Sequence, residues 1–354
     1  LLSGIAVTCL GHADEGVTKV ASEQMRTLSH TSNLFFNRPQ AELAQAIVEK
    51  TFPGRVFFCN TGTEANEAAL KLMRAHGQKI SEKKTKIITL NMGFHGRTFG
   101  SMSLTGQEKI RKGFGDLMGD VVMVDANNTN QLKEVFNDQV CGIMFEPIQG
   151  EGGINPLDRD FVVLARELSK KHNALLCLDE IQAGVGRTGK IFGFQHFGIT
   201  PDVVTLAKGL GGGFPIGAVV VGESYSDIFQ HGMHGTTFGG NLLATRVGKY
   251  IWDKVTAPSF LKEIEEKGLF FKEQLDKICQ TCDVAQEVKG MGLMLGLRLD
   301  EKVVAREFAI SLLEHGLVVG VAGGNTLRFV PAYTVTKEHI EKACEVISKQ
   351  LQSF

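Results

Sequence analysis

Asp202-Val203-Val204-Thr205-Leu206-Ala207-Lys208 is an apolar run that closes on a lysine, and Gly209-Leu210-Gly211-Gly212-Gly213 follows it directly. The run is rich in β-branched residues and too short for a helix, so it reads as a buried strand. The glycines leave its exit open to a bound molecule, and a lysine there can be a reagent rather than a solvated charge. Upstream, Ala174-Leu175-Leu176-Cys177-Leu178-Asp179-Glu180 is a second buried run, ending in carboxylates. A third run, 55–60, is followed by Thr61-Gly62-Thr63 at the head of a helix.

Working outward, further strand-like runs occupy 86–90, 121–125, 141–146 and 218–222, with amphipathic stretches such as 65–76 and 161–172 between them. This alternation, from about residue 41 to 255, predicts an α/β domain with a mostly parallel sheet covered on both faces. Ligands bind such sheets at the carboxyl ends of the strands, where Asp179, Lys208 and the loop after Asn60 all fall. After Lys254 the texture changes. Charged amphipathic helices at 259–280, 305–315 and 336–352 enclose short strands at 293–299 and 326–330, which predicts a smaller α+β domain. The expected division is an N-terminal segment, 1–35, packing with the small domain, a large domain, 36–255, and a small domain, 256–354.

Composition narrows the function classes. The 354 residues are 43% hydrophobic with a net charge of −1, so no basic surface calls for nucleic acid or anionic lipid. No apolar run approaches the ~20 residues needed to cross a bilayer. The seven cysteines are scattered, mostly within apolar segments, which suits buried thiols in a reducing compartment: the cytoplasm, or the mitochondrial matrix in a eukaryote. The chain begins at Leu1 inside an apolar segment, so further N-terminal sequence, with any targeting peptide, is expected to precede it.

Several motifs have competing readings. Thr61-Gly62-Thr63-Glu64 can be a plain capping box, yet the same helix start offers free N–H groups and a positive dipole end to a phosphate. Gly184-Val185-Gly186-Arg187-Thr188-Gly189-Lys190 nearly spells a nucleotide-binding P-loop, but Ile191 stands where a magnesium-binding Ser or Thr is required. It also matches GxGxxG, without an obvious helix after it or an acidic residue about 20 positions on. Cys279 and Cys282 form a lone C-x-x-C, and His231 and His234 lack a third ligand, so no metal is expected. Arg97 and Arg328, each beside apolar residues, are either structural ion-pair members or carboxylate binders. An amine, an acid and a phosphate-sized anion hole at three strand ends are the parts pyridoxal phosphate needs.

Taken together, these segments resemble the class III, fold type I pyridoxal-phosphate aminotransferases, within them the acetylornithine aminotransferase group. The resemblance runs nearly end to end. It is carried by Ser3-Gly4-Ile5-Ala6-Val7, Gly11-His12, Thr61-Gly62-Thr63-Glu64-Ala65-Asn66-Glu67 and Phe94-His95-Gly96-Arg97. It continues in Glu146-Pro147-Ile148-Gln149-Gly150-Glu151-Gly152-Gly153, Asp179-Glu180-Ile181-Gln182 and Gly186-Arg187-Thr188-Gly189. It ends in Ala207-Lys208 through Phe214-Pro215, Thr236-Thr237-Phe238-Gly239-Gly240-Asn241 and Arg328-Phe329.

The resemblance implies a seven-stranded, mostly parallel sheet between helices in the large domain, and the following roles. Lys208 forms a Schiff base with the cofactor and then moves the proton between substrate and cofactor carbons. Asp179 keeps the pyridinium nitrogen protonated, Phe94 and Ile181 cover the two faces of the ring, and Gln182, with Glu180 beside it, lies near the ring hydroxyl. Thr61, Gly62 and Thr63 hold the phosphate, and Thr237, next to Thr236 of the substrate pocket, completes that hold from the other subunit of a homodimer. Arg97 binds the donor's α-carboxylate and later the distal carboxylate of 2-oxoglutarate. Arg328 binds the α-carboxylate of 2-oxoglutarate and is masked by Glu151 while the cationic donor reacts. Glu146 belongs to the motif without an assigned role.

Two departures bear on the substrate. Phe36 stands where ornithine aminotransferases usually carry a tyrosine that recognises a free α-amine, which points to an acylated donor; Leu242 replaces a common proline and reads as neutral. The expectation is transfer of the terminal amine of N2-acetylornithine to 2-oxoglutarate, in arginine biosynthesis. Succinylornithine, ornithine or 4-aminobutyrate are alternative donors on the same scaffold. A catalytically silent binding relative is the alternative of a different class.

Overall fold

The computed structural model describes residues 1–352. In chain order the strands are β1 (Gly54–Cys59), β2 (Lys86–Leu90), β3 (Val121–Val124), β4 (Val140–Phe145), β5 (Ile148–Gln149), β6 (Asn155–Pro156) and β7 (Leu175–Asp179). They continue as β8 (Val203–Leu206), β9 (Gly217–Gly222), β10 (Ala285–Met291), β11 (Met294–Leu299), β12 (Gly320–Ala322) and β13 (Thr326–Phe329). Seven of them form one sheet in the order β1-β9-β8-β7-β4-β2-β3. Only β9 runs against its neighbours, pairing antiparallel with both β1 and β8. The expected mostly parallel seven-stranded sheet is present.

Every residue of the central β4, β7 and β8 is buried, because helices cover both faces, and this is why these strands read as unbroken apolar runs. On one face the helix Gly62–Ile80 presents Ala65, Ala68, Ala69, Leu72 and Met73 to the sheet. Gly142 of β4 sits beneath it: a Cβ there would lie 2.2 Å from Met73 Sδ, so the close approach requires glycine. On the other face the helix Arg159–Lys171 buries Phe161, Val162 and Ala165.

The second sheet is antiparallel, in the order β10-β11-β13-β12, and packs against the helices Pro258–Thr281 and Ala305–Glu314, on which the helix Lys337–Leu351 packs in turn. Phe271 of the first of these meets Phe329 of β13 with ring centroids 5.2 Å apart. The helices Glu15–Thr27, Arg38–Lys50 and Leu242–Val255 were not among the sequence-read elements. They include the N-terminal segment, which divides between the two units. Cys9 O accepts from Tyr333 N at 2.7 Å and Leu1 O from Val330 N at 3.0 Å, beside the small sheet. The helix Glu15–Thr27 packs on the helix Leu242–Val255.

The glycine-rich stretch 184–190 binds the two units together. No helix opens at Lys190; a short turn of 3-10 helix follows at Gly193–His196. Arg187 is 1% exposed and donates from Nη1 to Leu293 O at 3.0 Å and Pro331 O at 2.6 Å. Its guanidinium lies 4.4 Å from the Tyr333 ring centroid, and Tyr333 Oη donates to Val185 O at 2.7 Å. The loop that imitates a phosphate cradle is anchored to the segments just before β11 and just after β13.

Candidate active site

The carboxyl ends of β1, β7 and β8 open onto one cavity of about 410 Å³. Its lining includes Thr61, Gly62, Thr63, Phe94, Arg97, Asp179, Ile181, Gln182 and Lys208, residues drawn from segments up to 147 positions apart in the chain. Their meeting follows from the sheet order, which sets β8 beside β7 and β1 one strand farther on, across β9.

Lys208 begins a short 3-10 turn two residues after β8 ends, rather than closing the strand as the sequence suggested. Its φ is +42°, in the left-handed region that costs a side-chain-bearing residue energy, and strain of this kind gathers at functional sites. Burial lowers the pKa of its ammonium against the opposing pulls of Glu151, Glu146 and Asp179. The lowering enlarges the neutral, nucleophilic fraction of the amine.

Asp179 closes β7 with 3% exposure and is held from three sides. Its Oδ2 lies 2.7 Å from His95 Nδ1 and accepts from Asn66 Nδ2 at 2.8 Å, while Oδ1 accepts from Ile181 N at 3.1 Å. Burial disfavours the charged His95 ring, yet the hydrogen bond and charge of Asp179, with Glu146 nearby, raise its pKa overall. Asn66 Nδ2 also donates to His95 O at 2.7 Å, fixing the loop that carries Phe94. Asn66 and His95 were missed as site residues although both lie in quoted motifs. A signal existed for Asn66: it stands one helical turn after Gly62, on the same face of Gly62–Ile80.

Thr61 caps that helix, its Oγ1 accepting from Glu64 N at 3.3 Å. Glu64 reaches back to Asn60 N, at 2.7 Å, one residue earlier than a standard capping box. Helix geometry leaves the N–H groups of Gly62 and Thr63 without intrahelical acceptors, at the positive end of the dipole. A Cβ on Gly62 would lie 2.8 Å from Ile181 Cδ1, so glycine keeps this corner open. Phe94 and Arg97 share one loop, with the guanidinium 5.9 Å from the ring centroid.

Arg328 is 3% exposed, and its Nη1 contacts Glu151 Oε1 in a short ion pair and Gln182 Oε1 at 3.5 Å. Its Nε is buried without a partner. Glu151 lies in the turn between β5 and β6, and its carbonyl accepts from Gly323 N at 2.8 Å, so small-domain backbone supports it. Neither Glu151 nor Arg328 lines the cavity directly; Gln182 stands between.

Five other residues stand away from the cavity. Glu180 turns away, its two oxygens accepting from Gly193 N at 2.8 Å and Phe194 N at 2.7 Å, so its carboxylate holds a turn and makes no lining contact. Burial pushes the Glu180 pKa up to about 7. Thr236 accepts from Asn60 Nδ2 at 3.3 Å, outside the lining, and Thr237 is exposed. Phe36 is also fully exposed and outside the cavity, so within one chain it does not contact a substrate there. His234 is packed by Phe57 and Phe229, with ring centroids 4.9 and 5.5 Å away.

Comparison with protein families matches residues 1–351 to Aminotransferase class-III. The chain belongs to the class III aminotransferases. It is 45% identical over 354 residues to an acetylornithine aminotransferase of Caldanaerobacter subterraneus subsp. tengcongensis, covering 100% of this chain and 90% of that one. The fold is similar to the N-acetylornithine aminotransferase of Stenotrophomonas maltophilia K279a, with TM-score 0.87 and 35% identity, covering 99% and 90% of the two chains. It is also similar to the ornithine aminotransferase of Toxoplasma gondii ME49, with TM-score 0.95 and 29% identity, covering 99% and 85%.

The aminotransferase uses pyridoxal phosphate, as its family does, and the cavity fits that group. A fixed carboxylate at Asp179 suits a ring nitrogen, and the Gly62–Thr63 helix start suits a phosphate. Lys208 supplies the amine that a carbonyl carbon requires.

Proposed function

We propose that the chain moves the terminal amino group of N2-acetyl-L-ornithine to 2-oxoglutarate, giving N-acetyl-L-glutamate 5-semialdehyde and L-glutamate. The observation that carries the aminotransferase chemistry is the meeting of Lys208, Asp179 and the Gly62 helix start in one cavity. The donor is supported by the full-length similarity to an acetylornithine aminotransferase. Ornithine is the second reading, favoured by the likeness to the Toxoplasma enzyme's fold.

Bound pyridoxal phosphate supplies an electron sink for the carbanion that forms when the substrate carbon loses its proton. Lys208 Nζ would hold the cofactor and would serve as the base that carries that proton. Asp179, oriented by His95 and Asn66, keeps a positive charge on the ring nitrogen. Phe94 and Ile181 would cover the ring, Gln182 would serve its hydroxyl, and Thr61, Gly62 and Thr63 would hold the phosphate. Arg97 binds the donor's carboxylate, while Glu151 occupies Arg328 until the dicarboxylate acceptor requires it.

The proposed working unit is a homodimer in which Thr237 reaches the phosphate of a second copy and Thr236 borders the substrate pocket. Leu34, Phe35, Phe36 and Phe238 are 85%, 66%, 108% and 62% exposed. Asn33 Nδ2 ties their segments together, donating to Thr236 O at 3.1 Å and Gly239 O at 3.0 Å. A continuous apolar patch beside Thr237 is suited to a subunit interface. A reducing compartment, the cytoplasm or mitochondrial matrix, accords with seven free cysteines of which six are buried. The chain then divides at about residues 35 and 255 into an N-terminal segment, a cofactor domain and a small domain.

Steady-state comparison of acetylornithine, succinylornithine, ornithine and 4-aminobutyrate, each with 2-oxoglutarate, tests this reading. Acetylornithine is expected to give the largest kcat/KM; a larger value for ornithine overturns the choice of donor. Absence of transfer from all four, with no cofactor absorbance, overturns the enzyme.

A further inference from the structure

Glu146 follows β4 directly and lines the cavity with 5% exposure. Its two oxygens face two different loops. Oε1 accepts from Phe94 N at 3.0 Å and Oε2 from Gly150 N at 3.0 Å. The first loop carries the ring-facing Phe94 and Arg97; the second carries Glu151. Gly150 also packs against Gln182, since a Cβ on it would lie 2.4 Å from Gln182 Nε2. Gln182 Oε1 in turn accepts from Arg328 Nη1 at 3.5 Å, and Glu151 pairs with the same nitrogen.

We propose that Glu146 is a positioning residue that ties the Phe94 loop to the Gly150–Glu151 turn, so that the cofactor ring and the acceptor's carboxylate are held in one register. The inference rests on the transaminase reading above and gives this residue of that site a task. The chemistry explains why a carboxylate stands there despite the cost of burying it. Two main-chain donors from separate loops reach two different oxygens of one group, and an ionised carboxylate presents an acceptor at both. An amide would set its own N–H2 against one backbone N–H and leave that donor unsatisfied. Burial pushes the Glu146 carboxyl up to about 7, His95 draws it back and Asp179 adds to the rise, while Lys208 faces it across the cavity. The two N–H bonds favour the ionised form.

The test compares holoenzyme of wild type and Glu146→Gln by two equilibrium measurements. The first is visible circular dichroism of the bound cofactor, which reports the asymmetry of the ring's surroundings whatever the substrate. The second is the Kd for glutarate, an unreactive dicarboxylate, read from its perturbation of the cofactor band. Glu146→Gln is expected to alter the dichroic band and to weaken glutarate binding roughly 10- to 100-fold, the consequence of one unsatisfied buried donor. A folded variant with the wild-type band and wild-type Kd overturns the proposal, even if its Tm is lower. If Glu146→Gln does not hold the cofactor, Glu146→Asp serves: one methylene shorter, it reaches one loop only and is expected to shift both readouts. Unchanged readouts there overturn the proposal equally. A wild-type enzyme that ignores glutarate refutes the dicarboxylate acceptor, while a variant with unchanged band and unchanged Kd refutes the role of Glu146, so the two failures are separable.

Discussion

Replacing Glu151 with glutamine asks whether its pairing with Arg328 is a support or a gate. Arg328 is 3% exposed, its Nε lacks a partner, and its Nη1 rests on Glu151 and, more distantly, Gln182. Removing one member of a fully buried pair costs about 3–5 kcal/mol. Here the Glu151 side chain is 27% exposed and glutamine keeps a hydrogen bond, so screening and retention reduce the expected loss to roughly 1–2 kcal/mol. For a chain of this size that lowers Tm by about 1–3 °C. If the pair is also a gate, Glu151 competes with a ligand carboxylate for Arg328. Losing that competitor should then favour glutamate over acetylornithine by about 10- to 30-fold in kcat/KM, since a tenfold change corresponds to ~1.4 kcal/mol. Stopped-flow half-reactions with each donor, read from the cofactor absorbance, give the ratio directly. A Tm drop of the expected size with a ratio changed less than about threefold would refute the gate and leave a structural ion pair.

Three further outcomes are expected. Lys208→Ala should abolish transamination, because one Nζ supplies both the covalent attachment and the proton carrier; turnover at a substantial fraction of wild type contradicts the assignment. Asp179→Ala should slow single-turnover conversion of the cofactor by donor alone and weaken cofactor binding, since the ring nitrogen loses its counter-charge; an unchanged rate makes Asp179 a strand-end residue only. Glu180→Gln should remove a pH dependence of stability. The folded pKa of Glu180, about 7, lies above the ordinary carboxyl value of 4.5, so its folded form binds the extra proton between those values. Wild type therefore loses stability relative to the variant as pH rises from about 4.5 to about 7, by roughly 3 kcal/mol, and the difference is flat above. Chemical denaturation of both proteins across pH 4.5–8 measures it, and parallel curves would show that Glu180 does not titrate there.

The parts of the fold legible in the sequence are those where local pattern and global burial agree. β4, β7 and β8 are buried along their whole length, so their apolar runs announced them. The edge strand β12 and the partly exposed β10 are short or mixed in pattern, and they depend on partners far along the chain. The helix Glu15–Thr27 has no fully buried residue, and its Val17, Val20 and Ala21 pack only partly buried against the core. Ends were less legible than bodies: Lys208 looked like the last residue of a strand but begins a 3-10 turn with positive φ.

The same distinction separates the site residues. Lys208 and Asp179 could be singled out because a charged group ending a buried strand contradicts its surroundings. Glu180 contradicts them equally, yet its carboxylate turns outward to two backbone N–H groups. Sequence adjacency alone cannot separate these neighbours: consecutive side chains at a strand end point to opposite sides, and only the packed sheet decides which side is the cavity. Asn66, His95 and Glu146 act through hydrogen bonds to groups 113, 84 and 52 positions away. Their roles arise only once β7 and β4 are neighbours, and β4 and β7 pair through Phe145↔Leu178, immediately before Glu146 and Asp179. That register brings Asp179 and Glu146 to one edge of the sheet. The chemistry at Lys208 is readable from one strand, whereas its orientation is a property of the sheet order.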